Sequence, residues 1–429
     1  MSSNSSPIVV VGSGVIGLST ALHLRAATDR HVVVLEAGTV GQGTTPAGAG
    51  FVAPWATVLP HLGAPGLALV EYSLDYYNAI AASGVDIKHR GNGNIVFFNE
   101  SQSFTAATTA IARSPQASKD TKVITSAEVA DLTSGAVDAG QIAGGILMPR
   151  GIQLETNLLV EHLAELARAA GVEIRTHTTV ESISTDGQRL QGLRLRDSSD
   201  GSDLGDLETD CSVLAVGAWL NDLLETVGWK LPLLPFVATR FVTEDVGLSP
   251  TMPTLQGKDF PLWIRESDGG FTWGTTPGTA PAHRLGTGWT SHVPTERNYA
   301  HLVESMAADT GRVAKVFPAL EGARVVHTIQ GMPVYTVDRQ FFVGDVPSCT
   351  GLWAVGGDNE SGVSHAPGLG RLIADLVTES HTPICDAGLY RLDRFAPTDY
   401  PDAEAVGQKF VDAADGFIAD AMAAPAAAG

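Results

Sequence analysis

Near its N-terminus the chain runs PIVVVGSGVIGLSTALHLRAATDRHVVVLEAG, from Pro7 to Gly38. No other stretch limits the fold as strongly. Ile8 to Val11 is an unbroken apolar, β-branched run, as a parallel strand buried on both faces requires. Gly12, Gly14 and Gly17 follow at once. Gly12 permits a tight turn, Gly14 lets backbone approach a pyrophosphate, and Gly17 lets a helix pack closely on the strand with its N-terminus towards the phosphates. Ile16 to Leu24 reads as that helix, with Ile16, Ala21 and Leu24 towards the sheet. A second strand, His31 to Leu35, ends at Glu36, 19 positions after Gly17, where a carboxylate accepts ribose hydroxyls. This order of elements specifies a dinucleotide-binding unit.

At 429 residues the chain exceeds one ordinary core, so a second domain or large insertions are expected. No apolar run reaches the roughly 18 to 20 residues that span a bilayer. MSSNSSP lacks the basic and apolar regions of a secretory leader. Cys211, Cys349 and Cys385 form no CxxC and no metal spacing, which fits a reducing cytoplasm. The twelve histidines likewise show no metal spacing, so no metal site is expected. A net charge of −20 disfavours nucleic acid and anionic membranes as partners. Oligomeric state is left open.

The next stretch, GTVGQGTTPAGAG (Gly38 to Gly50), is a small-residue loop where an NAD-binding domain would usually proceed to its next helix. Here the chain resembles the D-amino acid oxidase family of FAD enzymes, which includes glycine oxidase and sarcosine oxidase. Further blocks follow in that family's order: the helix and strand of Arg150 to Ile183, CSVLAVGAWL (Cys211 to Leu220), GLWAVGGDNESGVSHAPGLGRLIADLV (Gly351 to Val377) and LYRLDRF (Leu389 to Phe395). In the first of these, Leu158, Leu159, His162, Leu163 and Leu166 read as a core stripe. The resemblance implies an α/β FAD-binding Rossmann-like domain with an inserted α+β substrate domain on a mostly antiparallel sheet. Residues 1–88, 150–227 and 326–395 are assigned to the former, 89–149 and 228–325 to the latter. His89 to Phe104 reads as a strand, and LPLLPFVATRFVTEDV and FPLWIRESDGGFTWGTTPG, within Leu231 to Gly278, read as strands with a hairpin turning at Asp268-Gly269-Gly270. In the 396–429 tail, Val406, Phe410, Ala413, Phe417 and Ile418 predict a helix packed on the surface or on a partner subunit. Expected cofactor contacts are Gly12, Gly14, Val15, Ile16, Gly17, Glu36, Ala37, Thr44, Thr45, Gly48, Ala49, Val180, Gly217, Gly357, Gly362, Val363, Ser364 and His365.

The resemblance also implies the chemistry. Flavin N5 accepts a hydride from a carbon bearing an amine, and the imine hydrolyses in water. The chain departs from its relatives at three charged positions. Met332-Pro333 stands where glycine and D-amino acid oxidases carry their carboxylate arginine. Pro333 also replaces the flavin-linking cysteine of monomeric sarcosine oxidase, so noncovalent FAD is expected. Ser364 and Thr272 fall where that enzyme has its carboxylate lysine and its oxygen-activating lysine. Either the substrate lacks a carboxylate near the reacting carbon, or another cation holds it. Arg240, Arg265, Arg339 and His61 are the alternatives, with Arg265 read as a solvated hairpin residue and Arg339 as a surface partner of Asp338. Trp55, Trp263, Trp273 and Tyr335 are candidate pocket aromatics against the commoner fate of core packing. Thr272, His365 and Tyr335 are the catalytic candidates, and Trp55, Arg240, Trp263 and Tyr335 the substrate-binding ones. His365 could equally cap a helix beginning near Pro367. Three outcomes stay open: an oxidase of a small amine or amino acid that passes electrons to oxygen, a dehydrogenase with another acceptor, and a flavin-binding subunit without turnover.

Overall fold

The computed structural model describes residues 6–285, 299–380, 383–413 and 416–423. Ile8–Val11 lies near the centre of a six-stranded sheet, paired in parallel with Cys211–Leu214 on one side and Val32–Leu35 on the other. Every residue of these three strands is buried. Strand alternation divides them between two cores. Ile8, Val10, Val32 and Val34 face a helical layer with Leu18, Ala21 and Leu24. Val9, Val11, Val33 and Leu35 face a three-stranded meander through Val180, Leu190, Leu193 and Leu195. Leu352–Gly356 extends the parallel order, and Phe342–Asp345 closes that edge antiparallel.

Two helices are phased differently from expectation. In Val15–Ala27 the sheet-facing residues are Leu18, Ala21 and Leu24, while Ile16 is only partly buried and faces a cavity. In Thr156–Ala169 the buried stripe is Leu159, Val160, Leu163, Ala164 and Ala167. Leu158, His162 and Leu166 flank it, because the small residues Ala164 and Ala167 permit closer approach on the other side.

A second, larger sheet centres on Leu233–Thr243, flanked by Thr279–Pro281, Gly270–Thr275, Val325–Gly331 and Val334–Thr336. It continues through Leu262–Ser267, Thr254–Gly257, Asn94–Phe98 and Gly144–Met148 to Lys122–Thr125. All these pairings are antiparallel except Thr254–Gly257 with Asn94–Phe98. Val325–Gly331 thus pairs within this sheet, although its residues from 326 onward were assigned to the nucleotide-binding part. The hairpin forms at Asp268 (φ 50°) and Gly269 (φ 81°), a two-residue turn whose positive φ values match the twist of its strands. Only Asn94–Phe98 of the His89–Phe104 segment is a strand; Ser101–Ile111 begins a helix.

The tail is two helices, Ala403–Asp412 and Gly416–Ala423, and they pack on their own chain. Val406, Phe410, Ile418 and Met422 bury with Leu234, Phe236 and Tyr335. Ala413 is exposed at the break between them, which is why a single stripe through it fails; the Phe417 side chain lies outside the described residues. Among the described residues no helix is long and apolar enough to cross a membrane.

The helix Gly362–Val377 wedges between Val15–Ala27 and Gly63–Ala82. Gly370 permits one contact, since a Cβ there would lie 2.6 Å from the Ser19 carbonyl carbon and 2.7 Å from the Thr20 nitrogen. In an open helix Gly→Ala gains about 0.5–1 kcal/mol. Here overpacking, of order 1–3 kcal/mol, opposes it. Gly370→Ala is expected to lower the denaturant midpoint; a rise would show that the two helices can separate freely.

Candidate active site

The glycine turn after the first strand has two kinds of position. Gly12 (φ 102°) is closed off: a Cβ would lie 2.5 Å from the Ala215 carbonyl oxygen. At Gly17 a Cβ would collide with the Gly12 carbonyl oxygen. Gly14 is open, with only Thr45 Oγ1 near its Cβ position, at 3.3 Å. The helix above it has no acid in its first turn, and the Val15 N–H donates to Thr45 Oγ1 (3.1 Å). This is a helix N-terminus suited to phosphate. Glu36 is held by the Ser13 N–H (2.9 Å), the Ser13 hydroxyl (2.6 Å) and the Gly38 N–H (2.9 Å).

These groups open onto a cavity of about 1240 Å³. That exceeds the ~300–1,000 Å³ usual for one small ligand and leaves room for a dinucleotide and a substrate. Gly12, Gly14, Val15, Ile16, Glu36, Ala37, Thr44, Thr45, Gly48 and Ala49 lie on its wall, as do Val180, Gly217, Gly357, Gly362, Val363 and Ser364. Gly17 lies behind it as a packing contact. The Thr44 hydroxyl donates to the Met332 carbonyl (3.0 Å) and accepts from the Met332 N–H (3.2 Å), joining the small-residue loop to the larger sheet. The donor set and the bare glycine surface fit FAD. Among the described residues no cysteine lines the cavity, so no thiol there is placed to link the flavin covalently.

His365 is elsewhere. The helix begins at Gly362 and carries Pro367 inside it, so His365 sits in its first turns. It is wholly buried against Phe341, with ring centres 4.9 Å apart and Nδ1 3.0 Å from the Ser361 carbonyl. Burial pushes its pKa down to about 4, so the ring is neutral at pH 7. It is neither a flavin contact nor a cation beside one.

Thr272 is also off the wall, wholly buried, and accepts from Arg240 Nη1 (3.2 Å). Arg240 itself reaches the cavity while only 6% exposed. Its Nη2 donates to the Pro46 carbonyl (3.3 Å), and its Nε–H has no hydrogen-bond partner among the described residues. Burial, with the nearby Arg265, lowers its pKa to about 10, so it stays charged. Glu155 opposes that shift but pairs with Arg265 instead (2.7 Å). Arg265 is no solvated hairpin residue. It is 1% exposed and also binds the Ala49 carbonyl (2.6 Å) and the Glu266 carbonyl (2.9 Å).

Trp55 and Trp263 line the cavity, whereas Trp273 stacks edge-on with Phe241 in the core (5.5 Å). Trp55 Nε1 donates to the Ser364 hydroxyl (2.8 Å), which donates to the Phe51 carbonyl (2.7 Å). Gly274 makes room for Trp263, whose ring would lie 2.5 Å from a Cβ there. Tyr335 packs edge-on against Phe236 (5.2 Å) and lies below the Arg339 guanidinium (4.9 Å). Arg339 is on the cavity wall, and Asp338 pairs with Arg394 (2.8 Å) rather than with it. His61 is at the cavity's exposed rim.

Two acids on the wall, Asp358 and Glu360, had no signal in the sequence pattern. Asn359 (φ 47°) and Glu360 (φ 61°) are both left-handed, a costly state for glutamate that the contacts around it sustain. The Asn359 N–H donates to the Val334 carbonyl (2.9 Å), and the Asn359 side chain accepts from the Thr336 N–H (3.0 Å). Glu360 hydrogen-bonds Tyr335, and confinement raises its pKa. Its side chain is nevertheless open to the cavity, so it acts as a wall group and not an enclosed one. Burial likewise pushes Asp358 up to about 7, against the Val334 and Gly362 N–H groups.

A family model described as "DAO: FAD dependent oxidoreductase" matches residues 7–376. Glycine oxidase of Pseudomonas putida is 30% identical over 401 residues, covering 90% of this chain and 98% of that protein. The 4-methylaminobutanoate oxidase (formaldehyde-forming) of Paenarthrobacter nicotinovorans is 27% identical over 397 residues. That alignment covers 90% of this chain but only 45% of the relative, so the chain spans about half of that protein's length. The crystal structure of glycine oxidase from Geobacillus kaustophilus shares the fold, with a TM-score of 0.74 at 23% identity over 90% of this chain and 98% of that one.

Gly14→Val is expected to yield folded, colourless protein, because only the cofactor's space is filled. Gly17→Val is expected to prevent folding. Circular dichroism with the visible flavin spectrum checks both, and a yellow Gly14→Val protein would move the pyrophosphate elsewhere. A pH effect follows from Asp358. Folded, it keeps its proton to about pH 7; unfolded, only to about 4. The folded state therefore binds more protons, and stability present below about pH 4 is lost as the pH rises through 7. Asp358→Asn is expected to raise the denaturant midpoint over the parent more at pH 8 than at pH 5. An equal gain at both values would show Asp358 to be ionised throughout.

Proposed function

This chain belongs to the DAO family of FAD-dependent oxidoreductases, and from that premise we propose that it oxidises the C–N bond of an amine bearing a carboxylate remote from the reacting carbon, with oxygen as acceptor. FAD, when bound, supplies the electron sink that takes the hydride. The chain's residues bind and orient the substrate. Arg240 is the observation that carries the reading: a charged, nearly buried guanidinium on the cavity wall with no carboxylate partner among the described residues. A buried charge without a counter-ion is costly, and a substrate carboxylate arriving there relieves that cost.

Met332 and Pro333 offer no cation where the glycine oxidases hold an α-carboxylate. Glycine and sarcosine are therefore expected to be poor substrates. 4-Methylaminobutanoate, named in one relative, has the required shape. Trp55 and Trp263 form apolar walls that exclude water from the reacting carbon. Glu360, on the cavity wall and hydrogen-bonded to Tyr335, takes the proton from the incoming ammonium so that a neutral amine reacts. Loss of hydride gives an imine, and water splits it to a carbonyl compound and the shorter amine. Two electrons and two protons then convert oxygen to peroxide. Thr272 brings only a hydroxyl, but the cation bonded to it, Arg240, favours oxygen as acceptor by stabilising the negative charge that develops on it.

Anaerobic bleaching of the bound flavin by a panel of N-methylamino acids of increasing chain length tests the reaction, and peroxide release in air tests the acceptor. Arg240→Met is expected to raise KM for the best substrate about 10- to 100-fold, the value of a charge-assisted hydrogen bond of about 1.5–3 kcal/mol. Equal bleaching by the methyl esters would remove the carboxylate from the account. Failure of every amine would remove C–N oxidation.

A further inference from the structure

The family match ends at residue 376, yet the chain beyond it returns to the cavity. Asp420, on the helix Gly416–Ala423, lies on the cavity wall. The same segment holds Tyr335 from behind, because Phe410 and Ile418 bury in one cluster with Tyr335 and Phe236. Arg339 joins the two directly: its guanidinium is 4.9 Å from the Tyr335 ring centre and 5.1 Å from that of Phe410.

The segment is fastened at several points. Glu404 accepts from His283 (2.8 Å) and from Arg284 Nε (3.0 Å), and Arg284 also donates to the Met422 carbonyl. Lys230 donates to the Pro401 carbonyl (3.1 Å), and Asp402 caps the first tail helix through the Ala405 N–H (2.8 Å). Met422 fills the space left by Gly407, locking the two helices together.

We propose that this helical pair is a wall of the substrate compartment, with Phe410 as a positioning residue for Tyr335 and Arg339 and Asp420 as the residue that excludes ligands bearing a second carboxylate. It rests on the reading that the Tyr335 side of the cavity receives substrate. Arg240 supplies a cation for one carboxylate. Asp420, exposed where the second tail helix borders the cavity, adds a negative charge to its lining, where a second carboxylate meets like charge. Phe410 acts only through the rings and guanidinium it supports.

The test uses full-length FAD-bound protein and reads ligand binding from perturbation of the flavin absorbance, so that no turnover is needed. The probes are butanoate, glutarate and the neutral-tailed amine N-methylbutylamine. Asp420→Asn is expected to raise the ratio of glutarate to butanoate affinity about tenfold, and Asp420→Lys to raise it further. Phe410→Ala is expected to weaken butanoate and N-methylbutylamine about tenfold at unchanged FAD content. An unchanged ratio in both Asp420 variants overturns the exclusion role, and unchanged affinities in Phe410→Ala overturn the positioning role. If Phe410→Ala does not fold, Phe410→Leu is used, which keeps the packing but loses the ring beneath Arg339, with the same expected direction. If no carboxylate perturbs the wild-type flavin, the Arg240 clamp fails. The tail wall is then decided by N-methylbutylamine alone: tenfold weaker binding to the Phe410 variant supports it, and unchanged binding overturns it.

Discussion

Everything in this structure depends on how near the first helix comes to the first strand. The Gly12 carbonyl occupies the place a Cβ of residue 17 would take, and Gly12 itself sits against the Ala215 carbonyl at a φ of 102°. With both side chains absent, the N-terminus of Val15–Ala27 drops onto the sheet edge and its first residues, Val15 and Ile16, line the cavity. The strand ends at Val11, Leu35 and Leu214 are thereby brought to one mouth. The same device recurs at Gly368 and Gly370, where the closing helix meets the Leu69 backbone and the Ser19–Thr20 backbone. Close backbone approach, more than side-chain interdigitation, gives the cofactor compartment its shape.

The cavity's charge is equally determined by which groups are already committed. Arg265 spends its donors on Ala49, Glu155 and Glu266, and so braces the small-residue loop against the larger sheet. By occupying Glu155 it leaves Arg240, near enough to feel its field, without a carboxylate partner among the described residues. One arginine serves as a strut, and the other is left with charge to offer. Both are buried, and only their hydrogen-bond partners separate their roles.

The cradle was legible in the sequence because it is local. Strand, three glycines, helix and Glu36 interact within thirty positions, and their spacing carries the geometry. The hairpin at Asp268-Gly269 was legible for the same reason. His365 was not, since reading it as a loop residue assumed that Pro367 starts the helix, whereas the helix begins at Gly362 and carries the proline inside it, where the Val363 carbonyl that the missing N–H leaves unbonded accepts from the Tyr77 hydroxyl (2.7 Å). Thr272 and Arg240 could not be told apart either. They lie 32 residues apart on neighbouring strands, and only the pairing of Phe241 with Trp273 and Val242 with Thr272 shows that the threonine's partner is the cation. The approach of the tail, from residues 403–423, rests on contacts with Phe236 and Tyr335 that no spacing encodes.

The position of Arg240 has a steric cause. Val325–Gly331 runs beside Leu233–Thr243, with Ile329 opposite Arg240 and Gly331 opposite Ala238. At Gly331 the small-residue loop presses on the strand, leaving a Cβ only 2.6 Å from Ala47 Cβ. Thr44 then takes both the N–H and the carbonyl of Met332, while the Met332 side chain is buried in the core shared with Val237 and Val334. A long charged side chain at 332 would have to leave that core, and Pro333 has no N–H with which to adjust the strand. A cation serving this part of the cavity must therefore come from the neighbouring strand. Arg240 does so from beside the Pro46 carbonyl, where the loop that closed off the first route supplies its hydrogen-bond acceptor.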